Sequence, residues 1–138
     1  MIKLDDHITD CINFKWQEFL FLPQWEIHAF PASNQVWRNI KHTAIVMEKI
    51  RLVLGSTPLH VTSGWRPYNY NRLIGGAEQS QHVVGRACDF VPIAMSCIDA
   101  RLRLEPYLEE LGCRMEDKID ASWIHIDLKP SGKRYFRP

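Results

Sequence analysis

The feature that most constrains this fold is a long run of regularly spaced apolar residues in the first half of the chain. The run begins at Asn34, a residue type that caps helix N-termini well, and Gly55 closes it. Its members recur at three- and four-residue spacing, and they are Val36, Ile40, Ala44, Met47, Ile50 and Leu54. This spacing predicts an amphipathic helix of about twenty residues with one face in a hydrophobic core.

Three short segments after this helix carry β-branched or alternating apolar residues, a pattern typical of strands. They are PLHVTSG at 58–64, ACDFVPI at 87–93 and SWIHIDL at 122–128. Between the second and third, Ser96 and Asp99 form a capping box that begins a helix. Pro106 is expected to break that helix into two pieces before Gly112 ends it. The apolar stripe predicted to face the core consists of Ile98, Leu102, Leu108 and Leu111.

The beginning of the chain completes the predicted architecture. NFKWQEFLFLP at 13–23 predicts a short amphipathic helix ended by Pro23, followed by a surface loop to about Ser33. Helices therefore come first, and strands with helical and loop insertions follow. This order favours an α+β domain with a small, mostly antiparallel sheet flanked by helices. All 138 residues, 1–138, are expected to form one domain with a core of its own.

Composition excludes several classes of partner. The formal net charge of +1 offers no electrostatic basis for binding nucleic acid or a membrane surface. Four cysteines, none in a CxxC pair, are predicted to be buried thiols in a reducing compartment: Cys11, Cys88, Cys97 and Cys113. The opening MIKLDDHITDC has acids where a signal peptide carries a basic region, so we expect synthesis in a cytoplasm without an export signal. We expect a monomer.

The segment GAEQSQHVVGRACDF at 76–90 holds the first candidate functional residues. His82 and Asp89 lie seven positions apart with Gly85 between them. Seven residues span about 10 Å in a helix and about 23 Å in a strand, so a turn is needed to bring the two side chains together. Gly85 permits such a turn. We therefore place His82 on a loop and Asp89 on the strand that follows.

The last predicted strand adds a second histidine. Alternation in SWIHIDL puts Trp123, His125 and Asp127 on the face opposite the apolar residues. If the two strands pair, Asp89 and His125 stand side by side with the His82 loop over them. Two imidazoles and a carboxylate fit three corners of a tetrahedral zinc site, with the fourth open to water. From the residues alone, a chance grouping is the alternative.

The stretch SGWRPYNYNRLIGGAEQSQHVVGRACDF, with WIHIDL downstream, resembles the M15 family of zinc D,D- and L,D-peptidases that cut bacterial peptidoglycan. It is most similar to the small D-alanyl-D-alanine carboxypeptidase-like and phage endolysin branch, over roughly residues 14 to 128. The family pattern S-x-H-x-x-G-x-A-x-D, the upstream S-x-x-R and the later histidine are represented by Ser80, His82, Gly85, Ala87, Asp89, Ser63, Arg66 and His125. The resemblance implies a Hedgehog/DD-peptidase-like fold with a zinc site on the exposed face of the sheet.

The resemblance also implies residue roles. One zinc ion is expected to be held by His82, Asp89 and His125. Arg66 is expected to bind a carboxylate of the peptide substrate, as suits a planar guanidinium; its alternative is a surface side chain packed on Trp65. From position alone, Ser80 next to His82 and Trp123 on the same face as His125 are expected to contribute to substrate binding, with a plain loop residue and a core or cleft-wall residue as the alternatives. Asp127 is expected to support the ligands or the fold.

The general base is the assignment that the motif leaves open. Many relatives carry an acid three residues before the last histidine, or a second histidine two residues before it. This chain has Ser122 and Trp123 there. Asp120 is the first candidate for the base that takes a proton from the attacking water, and Asp117 and Glu116 are alternatives. Asp120 as a plain exposed turn acid is the competing interpretation.

The expected function is therefore a zinc metallopeptidase acting on peptidoglycan stem peptides, as a D-Ala-D-Ala carboxypeptidase or an L-Ala-D-Glu endopeptidase. The lack of an export signal favours a phage lysin that reaches the wall through holes in the host membrane. The competing hypothesis is a catalytically silent zinc-binding or virion structural module, as fold does not determine function. The basic, aromatic tail KPSGKRYFRP at 129–138 is predicted either to lie across the domain or to contact an acidic polymer.

Overall fold

A computed structural model describes residues 1–137; Pro138, the last residue of the predicted domain and tail, lies outside them. In this part of the chain the α-helices are α1 (Trp16–Leu20), α2 (Asn34–Val53), α3 (Tyr68–Leu73), α4 (Cys97–Leu104) and α5 (Leu108–Leu111), with a 3-10 turn at Glu105–Tyr107. The strands are β1 (Phe21–Leu22), β2 (Ile27–His28), β3 (Leu59–Ser63), β4 (Ala87–Pro92), β5 (Arg114–Glu116), β6 (Ile124–Asp127) and β7 (Tyr135–Phe136).

The main sheet has five strands in the order β3-β4-β6-β5-β7. Every neighbouring pair is antiparallel except β5 and β7, which run parallel. The predicted α+β class with a small, mostly antiparallel sheet is confirmed. β4 and β6 lie next to each other in the middle, in a register that places Asp89 directly opposite His125.

One face of this sheet is covered by helices and the other carries the polar residues. Helix α2 packs against β4, α4 and α5. The side chains of Cys88, Phe90, Ile124 and Ile126 are completely buried in the core cluster on that side. Each fully buried Phe or Ile side chain among them contributes about 1.5–3 kcal/mol through the hydrophobic effect. Alternation then leaves Asp89 and His125 on the opposite face.

Helix α2 has the predicted length, but its cap is Ser33 and the predicted Asn34 is its first helical residue. Ser33 has an extended backbone, and its hydroxyl accepts a hydrogen bond from the Val36 amide at 3.4 Å. Asn34 was the wrong cap by one position. After Val53 the chain leaves the helix, and Gly55 adopts a φ of +76°, which favours glycine.

The first predicted helix is much shorter than expected. It ends at Leu20, and Phe21 takes an extended conformation with φ −76° and ψ 133°. Phe21 and Leu22 pair with His28 and Ile27 in a two-stranded ribbon, so the predicted loop up to Ser33 contains a strand. Two-residue strands have no periodicity of their own, which is why the sequence pattern missed them.

The stripe predicted for α4 and α5 is wrong at its first half. Ile98 and Leu102 are 50% and 65% exposed, and Ala100, Arg101 and Leu104 are buried in their place. The 3-10 turn around Pro106 changes the number of residues per turn, so a stripe cannot be extended through it at helical spacing. Leu108 and Leu111, beyond the turn, are buried as predicted.

The cysteines and helices bear on two further expectations. Cys11, Cys88 and Cys113 are buried thiols and Cys97 is half-buried, and the structure gives all four as free. None of the helices in residues 1–137 combines the length and the apolar character that crossing a bilayer requires.

Candidate metal centre

Three side chains from separate parts of the chain meet on the polar face of the sheet. His82 lies in the loop between α3 and β4, Asp89 in β4 and His125 in β6. One donor atom from each lies within 4.8 Å of the other two. In the part of the chain that the structure describes, they form the one group of three or more potential metal-binding side chains. The structure therefore brings together the three predicted ligands.

The loop that carries His82 packs closely against side chains of α2 at Gly85. Gly85 has a φ of +79° and its amide donates to the His82 carbonyl at 3.2 Å. A Cβ atom at Gly85 would lie 2.9 Å from Ile40 Cγ1, so only glycine fits this close approach. The buried Thr43 hydroxyl of α2 donates to the Gly85 carbonyl at 2.8 Å. The predicted turn thus depends on both the conformation and the small size of Gly85.

The His82 ring is oriented by a backbone carbonyl. Nδ1 lies 2.6 Å from the Gly64 oxygen, which can only accept, so Nδ1 carries the hydrogen. Burial lowers the pKa of His82, which favours the neutral ring. Nε2 then presents its lone pair to Asp89 Oδ1 at 3.2 Å. Two acceptors that face each other in a buried place need a cation between them, and a metal ion meets that need.

The Asp89 carboxylate contacts both histidines and an arginine. Its Oδ1 lies 2.7 Å from His125 Nδ1, and its Oδ2 accepts from Arg66 Nη2 at 3.2 Å. Burial by itself raises the pKa of Asp89, but the two histidines beside it, His82 and His125, outweigh burial and hold it well below its usual range. The carboxylate is therefore ionised at neutral pH and ready to bind a cation.

Asp127 and Arg114 support the second histidine, His125, on the side away from Asp89. His125 Nε2 lies 3.0 Å from Asp127 Oδ2, so a hydrogen on Nε2 leaves Nδ1 facing Asp89. Arg114 holds Asp127 with a bidentate pair of 2.8 and 2.9 Å. Burial lowers the pKa of His125, but hydrogen bonds to Asp127 and Asp89 prevail and raise it to about 9. The two carboxylates thus stabilise positive charge at His125.

The donor set fits a zinc ion. Two imidazole nitrogens and one carboxylate oxygen are typical ligands of catalytic zinc, which keeps its fourth position open. Metal-bound histidines usually donate their other ring N–H to a carbonyl or carboxylate. Both histidines here have such a partner, Gly64 for His82 and Asp127 for His125.

Arg66 lies beside this group and is not a surface side chain packed on Trp65. Its side chain is 14% exposed. Besides the Asp89 contact, Nε donates to Ser63 Oγ at 2.9 Å and Nη1 to Asn71 Oδ1 at 3.3 Å. Burial lowers the pKa of Arg66, while Asp89 acts in the opposite direction. The guanidinium is thus fixed at the edge of the group formed by His82, Asp89 and His125.

An open cavity of about 430 Å³ gives access to the site. Besides the three ligands, its lining includes Arg66, Ser80, Glu116, Trp123, Asp127, Lys129 and Phe136. Ser80 and Trp123, the two residues expected to contribute to substrate binding, are both part of this lining.

The three candidate bases differ in position. Asp120 is exposed and is not among the residues that line the cavity, and Asp117 pairs with Arg137 at 3.6 Å. Glu116, the last alternative by sequence, does line the cavity and is half-buried. The position of Asp120 depends in part on Arg101 of α4. Its guanidinium donates to the carbonyls of Ile119, Ala121 and Trp123 and so anchors the loop between β5 and β6, which contains Asp120.

Sequence reasoning missed several residues that shape the site. Asn71 is buried, and it accepts from Arg66 and donates to the Ala77 carbonyl at 2.8 Å. Arg114 and Phe136 come from strands too short to be predicted. For Asn71, its place five residues after Arg66 in the motif region was the one available signal; Arg114 and Phe136 had none.

Sequence comparison places the chain in a family. The profile of the peptidase M15 family matches residues 13–127, well over half of the chain. The chain belongs to the M15 peptidase family. The predicted resemblance is confirmed, and the match contains all three converging residues of this M15 peptidase.

Other comparisons add little to the family assignment. No curated protein matches this M15 peptidase. A solved structure, the L-Ala D-Glu endopeptidase ChiX of Serratia marcescens, is similar with a TM-score of 0.45 and 19% identity, covering 70% of this chain and 87% of that one.

Proposed function

We propose that this M15 peptidase is a zinc-dependent enzyme that hydrolyses peptide bonds in peptidoglycan stem peptides. The observation that carries the proposal is the group of His82, Asp89 and His125, whose donor atoms lie within 4.8 Å of one another on the wall of an open cavity. Zinc held there would polarise the scissile carbonyl and make water a better nucleophile. Family membership supports the reaction class.

Arg66 is proposed to hold a substrate carboxylate. A guanidinium has five N–H groups, and the contacts to Ser63, Asn71 and Asp89 use one each. N–H groups therefore remain for a carboxylate that enters the cavity. Because these three contacts already orient the side chain, little conformational entropy is lost on binding.

Glu116 is proposed as the general base. A base must lie within hydrogen-bonding reach of the proton it removes, directly or through one water. Of the three acids predicted for this role, Glu116 lines the cavity, whereas Asp120 lies outside its lining and Asp117 faces Arg137. Asp127 also lines the cavity, but Arg114 and His125 already occupy its carboxylate.

Ser80 and Trp123 are proposed to contact the bound peptide. Ser80 accepts from the His82 amide at 3.2 Å, so it links the cavity wall to the ligand loop. Trp123 is 36% exposed as a residue and offers apolar surface for the alkyl parts of a stem peptide. The bond that is cut, D-Ala-D-Ala or L-Ala-D-Glu, and the predicted role as a phage lysin stay predictions.

Digestion of purified peptidoglycan tests this function. The protein, a chelator-treated sample and the same sample after zinc is returned are incubated with cell wall, and released muropeptides are identified by mass spectrometry. We expect fragments in the first and third samples, and their masses identify the bond. A protein that binds one zinc per chain but releases no fragment would support the silent zinc-binding module, which the residues Ser122 and Trp123 at the usual acid or histidine positions favour.

A further inference from the structure

The C-terminal tail forms part of the cavity wall although it lies beyond the family match, which ends at residue 127. Strand β7 pairs in parallel with β5. The Met115 amide donates to the Arg134 carbonyl at 2.7 Å, and the Asp117 amide donates to the Phe136 carbonyl. Phe136 itself lines the cavity. The tail thus lies across the domain, one of the two alternatives predicted from the sequence.

The Phe136 ring covers Arg114. The guanidinium carbon lies 3.8 Å from the ring centroid, well inside the range of about 6 Å for a cation–π contact. Arginine stacks in this way without giving up its in-plane N–H groups. Those groups hold both oxygens of Asp127, at 2.8 and 2.9 Å.

The same ring also reaches His125. The centroids of Phe136 and His125 are 6.0 Å apart at an interplanar angle of 79°, an edge-to-face arrangement. Asp127, held by Arg114, contacts His125 Nε2 at 3.0 Å. Phe136 therefore restricts the rotation of the His125 ring in two ways, by direct contact and through the Arg114–Asp127 pair.

We propose that Phe136 is a positioning residue that sets the orientation of His125 and so raises the affinity of the site for zinc. The consequence for zinc rests on the proposed function, whereas the orientation of the ring does not. Outer partners of metal-bound histidines change metal affinity by about 10- to 100-fold when they are removed. Phe136 acts partly through Arg114, so we expect about tenfold weaker zinc binding when its ring is lost.

Zinc affinity, measured by competition with a chromophoric chelator, is the first test. Phe136→Leu keeps an apolar side chain without the ring and should bind zinc about tenfold more weakly. Phe136→Tyr keeps the ring face and should bind as the wild type does. Arg137→Ala is the matched control, because that side chain is 86% exposed and its contact is a 3.6 Å pair with Asp117. Arg137→Ala should leave zinc affinity unchanged.

Coupling to Arg114 is the second test. Because Phe136 is proposed to act partly through Arg114, Arg114→Lys should weaken zinc binding, and adding Phe136→Leu should cause less additional loss than Phe136→Leu causes alone. Far-UV circular dichroism and thermal unfolding confirm that each variant is folded. Were Phe136→Leu unfolded, Phe136→Met, which also lacks the ring, would replace it in both tests with the same expected loss.

A metal-free measurement separates this inference from the proposed function. The His125 Nε2–H resonance is followed by NMR, and we expect Phe136→Leu to shift it and speed its exchange with water, while Arg137→Ala does not. Wild-type zinc affinity and an unchanged resonance in Phe136→Leu would overturn the inference, and so would equal losses in Phe136→Tyr or Arg137→Ala. A wild type that binds no zinc would defeat the proposed function, and the resonance alone would then decide the role of Phe136.

Discussion

His82 is a proposed zinc ligand whose ring the protein itself orients. Its Nδ1 donates to the Gly64 carbonyl, and the residue is only 2% exposed. We expect His82→Ala to abolish zinc binding and peptidase activity. The metal-free variant should also lose about 1–3 kcal/mol of unfolding free energy, because the Gly64 carbonyl loses its partner. Zinc stoichiometry and urea unfolding measure the two effects, and zinc retained at one per chain would remove His82 from the ligand set.

Glu116 and Asp120 can be separated by a pair of isosteric variants. If Glu116 is the base, Glu116→Gln should lower kcat by about 10²–10⁴-fold, because an amide cannot accept the proton. Zinc should remain bound, since Glu116 is not a proposed ligand. Asp120→Asn, at an exposed position outside the cavity lining, should leave kcat nearly unchanged. The reverse result would return the role to Asp120, the candidate that the sequence favours.

At the scale of elements, the close contact between α2 and the His82 loop should make the position of His82 depend on the packing at Gly85. Gly85 and Gly112 both have positive φ, +79° and +72°, but a Cβ would be crowded only at Gly85. Gly112→Ala therefore measures backbone strain alone, a loss of about 1 kcal/mol. Gly85→Ala should destabilise the protein more and should also weaken zinc binding, because the loop must shift away from Ile40. Thermal unfolding and chelator competition compare the two; equal effects on both readouts would mean that the crowding is unimportant.

The elements that the sequence predicted well are those with strong local periodicity. Helix α2 has twenty residues and a regular apolar face, so its existence followed from the spacing. Strand β6 alternates polar and apolar side chains, and pairing it with β4 was enough to place Asp89 beside His125. Asp89 and His125 were therefore predictable because they lie on these two strands, whereas His82 lies on a loop and was placed by the turn at Gly85 and by the motif.

The rest of the site depends on contacts that no local pattern encodes. Strands β5 and β7 have three and two residues, and tertiary packing determines their pairing. Arg114 and Phe136 lie on them, so their contact was not foreseeable. Asp120 was preferred because it is the nearest acid before His125 in the sequence. In the structure, Arg101 donates to the carbonyls of Ile119 and Ala121 on either side of Asp120 and holds this loop. Glu116, and not Asp120, lines the cavity.

At the scale of the whole molecule, His125 makes the stability of the metal-free protein depend on pH. Its folded pKa of about 9 lies above its ordinary value of 6.5, so its stabilising contribution is complete below pH 6.5 and is lost as pH rises through about 9. Asp127 makes stability depend on pH in the acidic range. Despite burial, hydrogen bonds from His125 and Arg114 lower its pKa to about 2 from 3.8. Its contribution is present above pH 3.8 and is lost as pH falls through about 2.

The metal-free protein should therefore lose up to about 3 kcal/mol of unfolding free energy between pH 6.5 and 9. Zinc should show the opposite trend. Asp89 is ionised and His82 neutral in this range, so zinc displaces one proton, that of His125, and its affinity should rise about tenfold per pH unit up to about pH 9. Urea unfolding with chelator and zinc titrations in buffers of different ionisation enthalpy measure both slopes. Asp127→Asn, which removes a hydrogen bond that raises the pKa of His125, should move both transitions to lower pH. A flat stability profile together with a pH-independent zinc affinity would show that His125 is not protonated in the metal-free site.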